Sequence, residues 1–228
     1  RDRSPSRGLG DVYKRQTEKC TQAFVTDSGE IWLLYTDSSD VICFKIPSFS
    51  AQKSVKIELQ KELIKLHNVS VIRYFVQNDS FSFIDAENNL YLYDVAAKTK
   101  VYIRNISDLM KQYGKIENIT SLQEDVIIAF HLNGLVSLDS SKGYREEVID
   151  RSVRIFSMIK DRYNDIVWVG TDGQGVLMLT KNNSIAQTLE LTRLSPLLKR
   201  QVRSIATDRH GGLWFGTKGD LSLIHISE

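Results

Sequence analysis

The sequence predicts an all-β fold made of repeated four-stranded units, and three observations predict it. The first is a recurring pattern. Residues 157–175 (SMIKDRYNDIVWVGTDGQG) and 204–220 (SIATDRHGGLWFGTKGD) both read Ser-apolar-x-x-Asp-Arg, a turn, then apolar-Trp-apolar-Gly-Thr. The second is spacing: equivalent positions fall near 32, 82, 127, 168 and 214, a period of 41 to 50 residues that marks an array or a propeller. The third is that each unit holds about four short apolar runs and almost no long helix. Four antiparallel strands in about 45 residues make one blade of a β-propeller, so the chain reads as about four blades and the start of a fifth.

The first unit is a weak copy, residues 24–44, with Asp27, Gly29 and Trp32. The second (81–95) and third (126–139) keep the rhythm but have lost the tryptophan. In the fourth, strands are predicted at 155–159, 166–170, 176–180 and 185–191, separated by Asp-Arg-Tyr-Asn-Asp, Thr-Asp-Gly-Gln-Gly and Lys-Asn-Asn. Gly170, Gly173 and Gly175 lie in six residues, yet a short β-type run follows them and not a helix. They therefore read as a strand–turn–strand, the glycines supplying positive φ, and not as a phosphate loop. Trp32, Trp168 and Trp214 recur mid-strand between apolar residues, as packing between blades requires. Asp161 and Asp208 precede the turns and read as acceptors for backbone N–H groups. Short helical inserts are expected in three inter-blade crossings, at 59–68, 106–114 and 194–201, with Ser107 and Ser195 as N-caps.

The two ends read differently. The opening RDRSPSRGLGDVYKRQ and the closing LSLIHISE are related through the genetic code: the reverse complement of codons for 221–228 can encode 9–16. Such an inverted repeat resembles a translated sequencing-library transposon adaptor. Residues 1–16 and 221–228 are accordingly expected to be adaptor-derived and to stand apart from the blades, leaving a partial propeller domain over 17–220. That part carries 25 basic and 25 acidic residues, so the whole-chain net charge of +2 is no argument for nucleic acid or an anionic membrane. No run approaches the ~18 apolar residues of a membrane span. Cys20 and Cys43 suggest neither a disulfide framework nor a zinc site.

Asp-x-x-Gly-x-Leu-Trp-apolar-Gly-Thr resembles the two-component regulator propeller repeat. Asp208, Trp214, Gly216 and Thr217 match it well, and Asp161, Trp168, Gly170 and Thr171 nearly as well. The resemblance implies the periplasmic sensor region of a hybrid two-component histidine kinase anchored in the inner membrane. It also implies glycan-derived oligosaccharides as the ligand class. Neighbouring propeller and β-sandwich domains of the same chain, and a homodimer in the full-length protein, follow as partners. No cofactor, catalytic residue, metal ligand or direct membrane contact is expected in this segment. The alternatives are a propeller lyase or glycosidase fragment, and a protein-interaction propeller fused to a different output domain.

Ligand-binding candidates follow from topology. Arg73 and Arg203 lie near the starts of inner strands, and His131, Asp172 and Gln174 lie in turns between second and third strands. All five are expected at the same end of the propeller, where a concave mouth gathers polar groups.

Overall fold

The computed structural model describes residues 20–25, 30–35, 40–45, 64–66, 69–75, 80–161, 163–180, 182, 185–187, 196–207, 212–218 and 221–224. The chain divides into two compact units, Arg1–Val101 and Tyr102–Glu228. In the first, β1 (Cys20–Val25), β2 (Glu30–Tyr35), β3 (Asp40–Lys45) and β4 (Ile64–Leu66) form one sheet in chain order. A second sheet contains β5 (Val69–Phe75), β6 (Ser80–Asp85), β7 (Asn89–Asp94) and β8 (Thr99–Asn105); the division between units falls within β8.

The second unit begins with the end of β8, which is followed by helix α1 (Ser107–Tyr113). Its first sheet is β9 (Ile116–Leu122), β10 (Asp125–Phe130), β11 (Gly134–Asp139) and β12 (Arg145–Asp150), and its second is β13 (Ile155–Lys160), β14 (Ile166–Thr171), β15 (Val176–Thr180) and β16 (Ile185–Gln187). The third is β17 (Val202–Thr207), β18 (Leu213–Thr217) and β19 (Leu221–Ile224). Each sheet is an antiparallel meander, the form of a propeller blade, and the five are called blades one to five.

Side-chain alternation explains why the second strands read as nearly continuous apolar runs. In β14, Val167 and Val169 pack with Leu122, Ile127, Ala129 and Leu135 of blade three. Trp168, on the opposite face, packs with Val202, Leu213 and Phe215 of blade five. A strand buried on both faces needs apolar residues at every position. Each such side chain contributes about 1.5–3 kcal/mol on burial. Between blades one and two the seam is aromatic: Trp32 lies 4.8 Å from Phe81 and 5.2 Å from Tyr93, centroid to centroid.

The repeat motif acquires a mechanism in blade four. Asp161 is 7% exposed. Its Oδ1 accepts from the backbone N–H groups of Tyr163 and Asn164, each at 2.9 Å, which fixes the turn into β14. Its Oδ2 accepts from Trp168 Nε1 at 2.7 Å, so one carboxylate shapes the turn and orients the indole. Thr171 closes the next turn: its Oγ1 donates to Gly175 O at 2.7 Å and accepts from Gln174 N at 3.1 Å. Gly173 and Gly175 have φ of 92° and 76°, the left-handed values expected of them. Gly170 does not; it lies inside β14, and its role is close approach. A Cβ there would stand 2.4 Å from Ser157 Oγ and 2.7 Å from the carbonyl oxygen of Val202 in blade five. At Gly216 a Cβ would stand 2.3 Å from Ser204 Oγ.

Four further expectations need correction. Ile64–Leu66 is not part of a helical insert; it pairs with β3 as the fourth strand of blade one, because edge pairing satisfies backbone groups that a short isolated helix would leave open. The other two inserts are α1 and a 3-10 turn at Pro196–Lys199. Ser107 is the first helical residue and not the cap; its N–H is satisfied by Asn105 Oδ1 at 3.0 Å. Trp214 is 40% exposed. Leu213 and Phe215 bury the other face of β18 against blade four. Finally, Leu221–Ile224 does not stand apart from the blades, because its backbone pairs with β18 from Leu213 to Gly216. Any short extended segment within reach of an open strand edge can satisfy it in this way. Ser195, Asp208 and residues 1–16 lie outside the described residues.

Candidate ligand-binding site

The blades share a second device that the motif comparison does not reveal. In every inner strand the pairing with the second strand slips by one residue near the strand start. The slip leaves Thr21, Ser70, Glu117, Phe156 and Arg203 without a cross-strand partner in the register. These are β-bulges, which kink a strand and re-aim the extra side chain. The flanking register is the same in all blades: two positions beyond the bulge-adjacent pair stand Phe24↔Trp32, Arg73↔Ser82, Thr120↔Ile127, Ile159↔Trp168 and Ala206↔Trp214. The geometry repeats while the bulge residue changes from Thr to Ser, Glu, Phe and Arg.

In the second unit the bulge residues meet a cluster of charged groups. Glu117 Oε1 lies 2.6 Å from His131 Nδ1 and 3.3 Å from an Arg154 guanidinium nitrogen. His131 sits in the turn between β10 and β11, and Arg154 on the crossing into β13. Arg154 also approaches His131 Nδ1 at 3.0 Å. One ring nitrogen cannot serve both neighbours: with a proton it donates to Glu117, and without one it accepts from Arg154. The hydrogen bond from His131, then the Arg154 guanidinium, hold the Glu117 carboxyl below its ordinary range, although partial burial works the other way. The guanidinium carbon of Arg154 stands 4.8 Å from the centre of the Phe156 ring, and that of Arg203 stands 5.7 Å from the same ring. Arg203 further donates to Gln201 Oε1 at 3.2 Å. Two guanidinium groups thus lie against one aromatic ring, an arrangement favourable through the ring quadrupole.

Of the five expected site residues, the structure brings His131 and Arg203 to this cluster. Asp172 lies beside it, its N–H donating to Arg154 O at 2.9 Å. Gln174 is exposed in the same turn as Asp172, with its N–H held by Thr171. Arg73 does not occupy the position equivalent to Arg203. It lies three residues past the bulge Ser70, opposite Ser82 in the strand register, and its side chain lies outside the described residues. Glu117, Arg154 and Phe156 were missed. The bulge residues precede the recurring positions Asn118, Ser157 and Ser204, so the signal was a variable residue fixed in place within the repeat.

The opposite end of blade three holds a cavity of about 550 Å³ lined by Glu124, Asp125, Asp139, Ser140, Glu147 and Asn182, among others. Two of its carboxylates serve local turns. Asp125 accepts from Ser140 N and Oγ at 2.8 and 2.9 Å. Asp139 accepts from Ser141 Oγ at 2.6 Å and pairs with Lys142 at 2.7 Å. The Lys142 hydrogen bond, with that of Ser141, lowers the Asp139 pKa to about 2. Among the described residues no group of three His, Cys, Asp or Glu side chains is placed to hold a metal ion, and no helix is long and apolar enough to cross a membrane.

Comparison with known proteins bears on both the repeat and the fold. Residues 196–219 match the family model described as two component regulator propeller. The extracellular domain of a hybrid two component system from B. thetaiotaomicron aligns at 15% identity and a TM-score of 0.53, covering 92% of this chain and 29% of that one. PorZ, a surface component of the type-IX secretion system of Porphyromonas gingivalis, aligns at 14% identity and a TM-score of 0.54, covering 90% and 28%. This chain therefore spans less than a third of either solved protein. No curated protein matches it in sequence. The chain is a β-propeller segment, and residues 196–219 within it carry a two component regulator propeller repeat.

Proposed function

We propose that this segment belongs to the extracytoplasmic, ligand-sensing propeller region of a hybrid two-component histidine kinase. The observation that carries the reading is the regulator propeller repeat at residues 196–219. A repeated scaffold with a changing residue at each bulge supports it, because rigid elements that present variable side chains are what recognition needs. In this reading the region lies in the periplasm as part of an inner-membrane protein and acts as a dimer beside further propeller and β-sandwich domains. Its ligands are glycan-derived oligosaccharides. The segment signals by binding and not by chemistry: a ligand favours one arrangement of the dimeric sensor by its difference in binding free energy between the two. The test joins two measurements. The source gene is read beyond this segment for a membrane span, a kinase and a receiver domain, and the 228-residue chain is titrated by calorimetry against a panel of oligosaccharides. A gene ending in a hydrolase or lyase domain, or a chain that binds no oligosaccharide, overturns the reading.

A further inference from the structure

We infer that the blade-end bulges are the ligand-reading positions, and that those of blades three to five form a subsite for the carboxylate or sulfate group of an acidic oligosaccharide. The inference rests on the ligand-sensing reading and specifies its ligand. Three observations carry it. The bulge recurs at one register position in all five blades while its residue changes, so the backbone device is retained and the side chain is the variable. The cluster's two guanidinium groups are not partnered alike. Glu117 offsets Arg154 at 3.3 Å, whereas the described partners of Arg203 are the neutral Gln201 amide and the Phe156 ring. Among the described residues no carboxylate pairs with Arg203, which is exposed.

The chemistry follows from that difference. A guanidinium presents a rigid fork of donors that matches a carboxylate or sulfate in a two-pronged contact. Phe156, half-buried at the bulge, lies against both guanidinium groups and removes water from one side of each, which strengthens a charge-assisted hydrogen bond to an incoming anion. Glu117 repels a second anion nearby. The ligand's negative group therefore belongs at Arg203, and its neutral hydroxyls near Glu117 and His131.

The test uses the 228-residue chain and three probes: tetragalacturonate, a sulfated galactotetraose, and neutral galactotetraose. Binding is measured by calorimetry at low and physiological salt, with circular dichroism as a check that each variant folds. At least one acidic probe should bind ten-fold or more tightly than the neutral one, and the preference should shrink as salt rises. Which acidic probe binds identifies the group as carboxylate or sulfate. Arg203→Gln should lose about ten-fold of that affinity, and Arg203→Lys, which keeps the charge but not the fork, should fall between. Lys142→Gln, at the opposite end of blade three, should change nothing. Equal binding of the neutral probe, or an unchanged affinity in Arg203→Gln, overturns the assignment and leaves the ligand-sensing reading standing. Failure of both acidic probes overturns it as well, and the neutral probe and the wider panel then decide that reading separately.

Discussion

The two motif glycines, Gly170 and Gly216, should respond differently to the same methyl group. Each faces a serine of the inner strand, Ser157 and Ser204 respectively. At Gly216 an added Cβ would meet Ser204 Oγ at 2.3 Å, but the next nearest atoms are Ser204 Cβ at 3.6 Å and O at 3.9 Å. A serine hydroxyl can rotate away, so Gly216→Ala should cost no more than about 1 kcal/mol, the order of an unfavourable rotamer. In a Ser204→Ala background even that cost should vanish. The double variant should then gain about 0.4–1 kcal/mol, because alanine restricts the unfolded chain. At Gly170 the added Cβ meets Ser157 Oγ at 2.4 Å and also the Val202 carbonyl oxygen at 2.7 Å, with Val202 Cγ1 at 3.0 Å. A backbone carbonyl of the next blade cannot rotate aside. Gly170→Ala should therefore cost about 1–3 kcal/mol as overpacking at the seam, and Ser157→Ala should not rescue it. The assay is a pair of double-mutant cycles from guanidinium unfolding of the 228-residue chain, followed by far-ultraviolet circular dichroism. Rescue of Gly170→Ala by Ser157→Ala, or a Gly216→Ala cost as large as that of Gly170→Ala, would refute the close-approach argument.

Trp168→Phe keeps much of the packing against Val202, Leu213 and Phe215 but removes the indole donor to Asp161 Oδ2; it should cost about 1–3 kcal/mol in the same unfolding assay, and a smaller loss in an Asp161→Asn background would locate that cost in the indole hydrogen bond. Asn105→Ala removes the acceptor for Ser107 N–H and should destabilise the chain by about 1 kcal/mol, read as earlier loss of protection in α1 by hydrogen exchange. Glu117 has a folded pKa below its unfolded one, so its contribution is fully present above the ordinary carboxylate range and is lost as pH falls through the lowered value; carboxyl carbon shifts should show that order, and Arg154→Gln should raise the midpoint. Asp139 follows the same sign, with a midpoint at about 2 that should rise on Lys142→Gln.

What the sequence determined by itself was the blade and its period. Alternating apolar runs closed by Asn, Asp and Gly specify strands and turns locally, and their repetition every 41 to 50 residues specifies an array, so the second strands near 32, 82, 127, 168 and 214 could be placed without coordinates. The pairing of Asp161 with a turn was also legible, because a carboxylate beside a turn acts on neighbours in sequence. Tertiary structure decided whatever depends on atoms distant along the chain. Gly170 reads like a turn glycine until Val202 is seen against it from the next blade. Trp214 has the motif of a buried indole, but burial requires a facing sheet, and 40% of it remains exposed. The bulges are invisible in one strand, since a bulge is a mismatch between two. Glu117, His131 and Arg154 are 37 residues apart at their widest, and Phe156 and Arg203 are 47. Only the return of each inner strand to the same end of its blade brings such residues together, and that return is a property of the sheets' packing and not of any local run of sequence.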